Sequence, residues 1–260
     1  MIVEWNQSDR SKLLDLFDSF KVGRRIIFPA LAQNRGNIWV DSIESPKVAR
    51  LQMSIINALT GDSTKPEALE LIKMIKPHEL VFFSNTGWSD ILRKVWGDRV
   101  GIQKRTMMSP NSLSVDYLKE LVDNLPTEFT LEQLDLETTR KLDENMFMHI
   151  ALFFGSSEAF IENGFGFCIK HNGNVVSVAS TFTPFIDEFE IEVRTSNDGE
   201  YRRKGLATIV SAALLLYALE QGFIPHWDAA NEISVKLALK LGYTDPYPWE
   251  AVYLKKSEDP

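Results

Sequence analysis

Hydrophobic and polar positions along this chain fall into two stretches of similar rhythm. In the second, Gly166-Phe167-Cys168-Ile169-Lys170 and Val175 to Thr181 flank Asn172-Gly173-Asn174, turn chemistry that predicts a β-hairpin. Phe189-Glu190-Ile191-Glu192-Val193-Arg194-Thr195 then alternates apolar and charged residues, the period of a half-buried strand. A helix over 201–221, a strand over 224–229, a helix over 231–241 and a last strand around 251–255 complete this half. Between the last two, Asp245-Pro246-Tyr247-Pro248 predicts an irregular loop. The first half shows the same order, with strands at 37–42, 47–54 and 55–59, a helix at 65–76, a strand at 79–84, a helix at 87–96 and a strand at 100–108. The sequence β-β-β-α-β-α-β therefore occurs twice. Two related α/β (α+β) halves are expected, divided as 1–125 and 126–260, with linking helices at about 112–163; an unrelated α/β first half is the alternative.

From Leu206 to Leu219 the chain is almost entirely apolar. This run is shorter than the roughly 20 residues that a bilayer span needs and includes Thr208 and Ser211. A helix apolar on all sides is one buried between a sheet and another layer, so a core helix is expected here. Residues 1–6 have neither a basic start nor a continuous apolar stretch, so no signal peptide is expected.

Composition narrows the classes. A chain of 260 residues with 44% hydrophobic and 25% charged residues is an ordinary globular protein with material for two domains. Its formal net charge of −8 argues against a partner such as nucleic acid or an anionic membrane, both of which need a basic surface. The lone Cys168 excludes an internal disulfide and a cysteine-based zinc cluster, which fits a cytoplasmic location. His78, His149, His171 and His226 lack metal-ligand spacing, so no metal is expected. No nucleophile-elbow serine or Walker loop is present, and Cys168 within an apolar strand reads as a buried, inert thiol. The aromatic segment Phe147 to Phe154 and Trp5, Trp39, Trp88 and Trp96 read as core, some of them able to wall an acceptor pocket.

Against that acidic background, Glu200-Tyr201-Arg202-Arg203-Lys204-Gly205-Leu206-Ala207-Thr208 is a local exception. It places three cations and a glycine directly before the apolar helix. The first N–H groups of a helix have no intrahelical acceptor and the helix dipole adds positive charge there, so this turn predicts a phosphate site.

Arg202-x-x-Gly205-x-Ala207 resembles the pyrophosphate motif of the GNAT superfamily of acyl-CoA N-acyltransferases. About 25 residues on, His226-Trp227-Asp228-Ala229-Ala230 and Asn231-Glu232-Ile233-Ser234, leading to Lys240-Leu241-Gly242-Tyr243, resemble that family's next strand and its Asn-x-x-Ala/Ser helix with a Leu-Gly-aromatic end. The wording is similar to a bacterial branch that includes zwittermicin-type resistance acetyltransferases. The resemblance implies a mixed central sheet of GNAT type and acetyl-CoA as co-substrate. It also implies splayed strands, 189–195 and 224–229, that admit the pantetheine arm, and acetyl transfer to an amine, taken here as a small molecule of unknown identity. In the first half the matching turn is Gly61-Asp62-Ser63-Thr64-Lys65-Pro66-Glu67. Its acids would repel a pyrophosphate, while Thr64 as N-cap and Pro66 near the first helical position read as a structural start. Only the C-terminal half is expected to carry the CoA site.

The resemblance assigns cofactor contacts to Val193, Thr195, Arg202, Arg203, Lys204, Gly205, Leu206, Ala207, Thr208, Asn231 and Ser234. It places Asn231 against the pantetheine and Ser234 near the phosphates; an N-cap role for Asn231 is compatible with the first. Lys236 reads as an exposed helix lysine rather than a phosphate ligand. The strand before the turn supplies an oxyanion-binding N–H and a glutamate base. Glu192, and after it Glu190, are the candidates, on one strand face with Arg194, where the bland reading is a solvated face of ion pairs. The departure from the family pattern is Ala238, four residues after Ser234, where many members have a tyrosine acid. Tyr243, Tyr247 and Tyr253 lie nearby in sequence. A non-catalytic CoA-binding or scaffold protein is accordingly the competing reading.

Overall fold

The computed structural model describes residues 1–256, apart from the side chain of Glu144. In chain order its strands and helices are β1 (Val3–Glu4), α1 (Leu14–Phe17), α2 (Arg24–Ala32), β2 (Asn37–Val40), β3 (Val48–Met53), β4 (Ile56–Gly61), α3 (Pro66–Lys73), β5 (Leu80–Phe83), α4 (Thr86–Trp96) and β6 (Val100–Ser109). There follow α5 (Val115–Asp123), β7 (Phe129–Gln133), α6 (Leu136–Arg140), α7 (Glu144–Phe153), α8 (Ser157–Asn163), β8 (Gly166–His171), β9 (Asn174–Thr181) and β10 (Glu188–Thr195). The chain ends with α9 (Leu206–Glu220), β11 (Ile224–Ala229), α10 (Glu232–Leu241) and β12 (Thr244–Leu254).

These elements form two compact units, Met1–Lys104 with Glu250–Pro260, and Arg105–Trp249. The twice-repeated order is present, and so is its topology. In the first unit β2 and β3, then β3 and β4, pair antiparallel, and β4 and β5 pair parallel. The second unit repeats this with β8, β9, β10 and β11. The mixed α/β sheets are therefore built on one plan.

The division at 104 rather than near 125 has a structural cause. The strand that follows α4 in sequence, β6, pairs with β11 inside the second unit (Trp227 with Met108), and the strand that follows α10, β12, ends in the first unit, where Val252 pairs with Val81. Each repeat thus receives its last strand from the other repeat. The linking region is not purely helical either, since β7 pairs antiparallel with β8. The expected loop at 245–248 lies inside β12, which tolerates it through left-handed Asp245 (φ 51°) and two prolines spaced so that both missing N–H groups fall on one edge. The helix expected from 201 begins at Leu206, because 199–201 form a 3-10 turn.

The core of the second unit explains the apolar run. Leu206, Ile209, Val210, Leu214 and Ala218 of α9 pack on the sheet with Val176, Ala179 and Phe189. Its opposite side, through Ala212 and Leu215, meets Leu118 of α5 and Ala238 and Leu241 of α10. No helix among the described residues is long and apolar enough to cross a membrane. The hairpin turn is as its residues predict, with Asn172 (φ 50°) and Gly173 (φ 80°) both left-handed. Cys168 is buried, and burial pushes its thiol up to about 11, which keeps it unreactive.

The two strand-to-helix turns differ in what surrounds their glycines. A Cβ on Gly61 (φ +90°) would lie 1.9 Å from the carbonyl oxygen of Lys47, whereas on Gly205 (φ +79°) it would meet nothing within 4 Å. Gly61→Ala is therefore expected to destabilise the protein by about 3 kcal/mol or more, from backbone overlap added to the left-handed φ. Gly205→Ala is expected to cost about 1 kcal/mol, from φ alone. Urea midpoints of the two variants test this; equal losses would contradict it.

Candidate active site

The site is built around an interrupted ladder. β10 and β11 pair over Glu188–Ile224, Phe189–Pro225 and Glu190–His226, and no rung follows. From Trp227 onward β11 pairs with β6 on its other edge. Asp228 anchors that departure, because its carboxylate accepts from Arg105 Nε at 2.7 Å and from Trp249 Nε1 at 2.9 Å, while Arg105 also donates to the Asp228 carbonyl at 3.0 Å.

The rest of β10 remains bonded to β9 alone, from Ile191 opposite Thr181 to Thr195 opposite Ser177. The Glu190 carbonyl accepts from Phe182 N and Ser196 N donates to Val176, so the even-numbered peptide groups face β9. By strand alternation those of Ile191, Val193 and Thr195 face the gap. These peptide groups have no partner strand on that side.

At the end of β10 the chain enters the basic turn. Arg202 is exposed and donates to Asn197 Oδ1 at 3.0 Å; Arg203 is exposed and left-handed (φ 61°); Lys204 lies 5.3 Å above the Phe129 ring and 4.0 Å from Glu128. Gly205 is the N-cap of α9 and supplies no side-chain cap. The first helical bond runs from Ile209 N to Gly205 O, so the N–H groups of Leu206, Ala207 and Thr208 have no intrahelical acceptor. The side chains of Leu206 and Thr208 are buried, which leaves their N–H groups as the parts that can meet an anion. Two left-handed residues two apart, then an uncapped helix start, form a concave array of N–H donors.

Asn231 and Ser234 are both engaged within the fold. Asn231 is the N-cap of α10, its Oδ1 accepting from Ser234 N at 3.0 Å. The Ser234 hydroxyl accepts from the Trp227 indole at 2.9 Å. Lys236 is exposed, as expected.

In the first unit, Lys65 rather than Thr64 is the N-cap, with Pro66 at the helix start; Thr64 is spent on Asp62, whose Oδ1 accepts from its N at 3.0 Å and its hydroxyl at 2.6 Å. A cleft of about 820 Å³ beside that turn has Lys12, Lys47 and Lys65 balanced by Asp15, Glu44 and Asp62. It offers no net cation to a pyrophosphate.

Glu188, Glu190, Glu192 and Arg194 share one face of β10, with His226 and Asp228 beside them on β11. Glu192 Oε1 is 2.6 Å from Arg194 Nε, and 19% of the Glu192 side-chain surface is exposed against 48% for Arg194. Burial pushes the Glu192 carboxyl above its ordinary range, and the Arg194 and Arg105 charges oppose that rise without cancelling it. Ser180 stands opposite Glu192, and its hydroxyl is 2.8 Å from His149 Nε2. Burial, followed by the charge of Arg194, lowers His149 to about 3, so the imidazole stays neutral. Phe182 stacks on His149 and packs against Phe153 at 4.6 Å.

Ala238 is buried in the core. Tyr243 is buried too and donates to the Pro225 carbonyl at 3.0 Å; burial and then the charge of Glu190 raise its phenol well above the usual value, so it is a poor acid here. Tyr247 is 61% exposed, and Tyr253 covers Gly101 in the first unit. No group of three His, Cys, Asp or Glu residues that could hold a metal occurs among the described residues.

A family model described as GNAT acetyltransferase matches residues 15–252. The chain belongs to the GNAT acetyltransferase family. A GCN5-related N-acetyltransferase-like protein from Streptococcus suis 89/1591 is similar at 30% identity and a TM-score of 0.79, over 95% of this chain and 98% of that one. YdfB of Bacillus subtilis (strain 168), described as an uncharacterised N-acetyltransferase, is 28% identical over 176 residues; the match takes in 67% of this chain and 65% of that relative's length. A tandem GNAT protein from the clavulanic acid biosynthesis pathway shares the fold at a TM-score of 0.63 and 12% identity, over 100% of this chain and 99% of that one.

Several residues that shape this GNAT site were missed by sequence reasoning. Arg105 lies 123 positions from Asp228, and His149 lies 31 from Ser180. The one available hint was the charged Asp228 beside Trp227 in a short, largely buried strand. Because Arg194 opposes the effect of burial on Glu192, Arg194→Ala is expected to move the Glu192 titration midpoint further upward. Carboxyl-carbon NMR titration of the labelled protein measures it, and a midpoint that falls or stays put would refute this electrostatic reading.

Proposed function

We propose that this protein transfers the acetyl group of acetyl-CoA to a small-molecule amine, using only the site in its second unit. The observation that carries this reading is the gap between β10 and β11 opening directly onto the uncapped basic turn at the start of α9. The turn from Arg202 to Thr208 would hold the pyrophosphate through backbone N–H groups and its cations. The pantetheine would lie along the peptide groups of Ile191, Val193 and Thr195, and a N–H there would bind the oxyanion of the tetrahedral intermediate. Asn231 would offer its amide to the same arm while its Oδ1 caps α10. The similarity of the Trp227-Asp228 and Asn231 to Ser234 wording to the zwittermicin-type branch supports a small acceptor.

Proton counting suggests how the reaction proceeds without a tyrosine acid. The acceptor nitrogen starts as an ammonium and ends as an amide, so it loses two protons. One finishes on the CoA sulfur and the other in solvent. Attack needs the neutral amine, so the first proton leaves before the C–N bond forms. The second leaves the nitrogen of the tetrahedral intermediate. Glu192, half-shielded and raised in pKa, is suited to take that second proton and to return it to the thiolate as the C–S bond breaks. One carboxyl then serves as base and acid in turn, and the buried methyl of Ala238 is no obstacle to turnover.

Thermal unfolding with acetyl-CoA, CoA, ATP and NAD, on wild type and on Gly205→Asp, tests the reading. Acetyl-CoA and CoA at a hundredfold excess over Kd are expected to stabilise wild type by about 2.7 kcal/mol, a rise of several degrees in Tm. Gly205→Asp, which aims a carboxylate into the open space before α9, should lose that response. No shift of the wild type with either CoA species would remove the foundation of the proposal.

A further inference from the structure

Resting on the acetyltransferase reading, we propose that Glu190, His226 and Glu188 form the path by which the first proton of the acceptor ammonium reaches solvent. Three observations carry it. Glu190 and His226 are partners on the last rung of the β10–β11 ladder, so their side chains stand together on the polar face at the vertex of the gap. His226 Nε2 is 2.9 Å from Glu188 Oε2. The row ends in the open: Glu190 Oε2 and His226 Nε2 are both closed off from solvent, whereas the Glu188 side chain is 45% exposed. An inner carboxylate, a bridging imidazole and an outer carboxylate are the groups a proton needs to move from a half-buried site to water.

The steps balance. The ammonium gives one proton to the Glu190 carboxylate and becomes the neutral amine. Glu190 passes it to Nδ1 of His226, and the imidazolium releases the proton on Nε2 to Glu188, which yields it to water. Rotation of the imidazole restores the starting tautomer. Glu192 stays out of this path, because its neighbour Arg194 stays protonated at ordinary pH and so cannot relay a proton. The two glutamates on one strand thereby divide the two protons, Glu190 serving the one that leaves and Glu192 the one that returns to sulfur.

The test uses full-length protein with acetyl-CoA and two probe amines, benzylamine and 1,4-diaminobutane, in dilute, poorly proton-accepting buffer. His226→Ala is expected to lower kcat about a hundredfold or more, the scale of one proton-transfer residue. Added imidazole should restore kcat in a saturable way, with the KM for acetyl-CoA within about twofold of wild type, a response that a purely structural residue does not give. Should His226→Ala fold poorly, Glu188→Gln, at an exposed position, is expected to lower kcat and make it depend on buffer concentration in the same manner. Unchanged kcat in Glu188→Gln and in folded His226→Ala, or a loss that imidazole does not relieve, overturns the path while leaving the transferase reading intact. Wild type that acetylates neither amine and shows no stabilisation by CoA overturns the transferase reading, and the path with it.

Discussion

The fork between β10 and β11 depends on the hold that Arg105 and Trp249 keep on Asp228. Two side-chain donors on one carboxylate, with a third bond to the same residue's carbonyl, fasten the far end of β11 on the β6 side. With that end fixed, the parallel ladder stops after Glu190 and His226, and three peptide groups of β10 lie on an edge that β11 no longer pairs. Buried or half-buried backbone donors are costly to leave unmet, so a gap of this kind is a place made for a ligand with acceptors of its own. The placement of Glu190, Glu192 and His226 on one polar face follows from the same registers, as does the position of the basic turn at the gap's mouth.

The same pairing order occurs in both units, and the chemistry of the turns separates them. In the first unit the glycine of the turn is packed against its own neighbouring strand, and Asp62 is engaged locally by Thr64. In the second the glycine faces open space and α9 starts without a side-chain cap, after three cations. The exchange of last strands gives the first unit a reason to persist beyond any ligand of its own. Its sheet is completed by the end of β12, and the strand that anchors Asp228, β6, begins within it.

Much of this was readable from local pattern. The hairpin at 172–173, the alternation of β10, the all-round apolar α9 and the start of α3 at Pro66 depend on neighbours in sequence, and each formed as its residues predict. The GNAT motif at 202–207 lies where it was expected, at a strand-to-helix turn. What local pattern did not show are features set by distant partners. β7 reads as linker because its pairing strand lies over 30 residues on, and the prolines of β12 read as loop because a strand edge without N–H groups carries no sequence mark. The domain boundary was misplaced for the same reason, since strand exchange is invisible to periodicity. At the site, the Trp227 bond to the Ser234 hydroxyl, and the parts played by His149 and Arg105, entered only through side-chain contacts across the fold.

The central claim is that a single CoA site lies in the fork, with its phosphates on the 202–208 turn and its thioester beside Glu192. A crystal structure of the protein soaked with acetyl-CoA tests it most directly. The account predicts one bound molecule, its pyrophosphate on the N–H groups that precede and open α9 and its arm along Ile191, Val193 and Thr195. Density for acetyl-CoA at the Gly61 turn instead, or in the second unit but outside the fork, would contradict it.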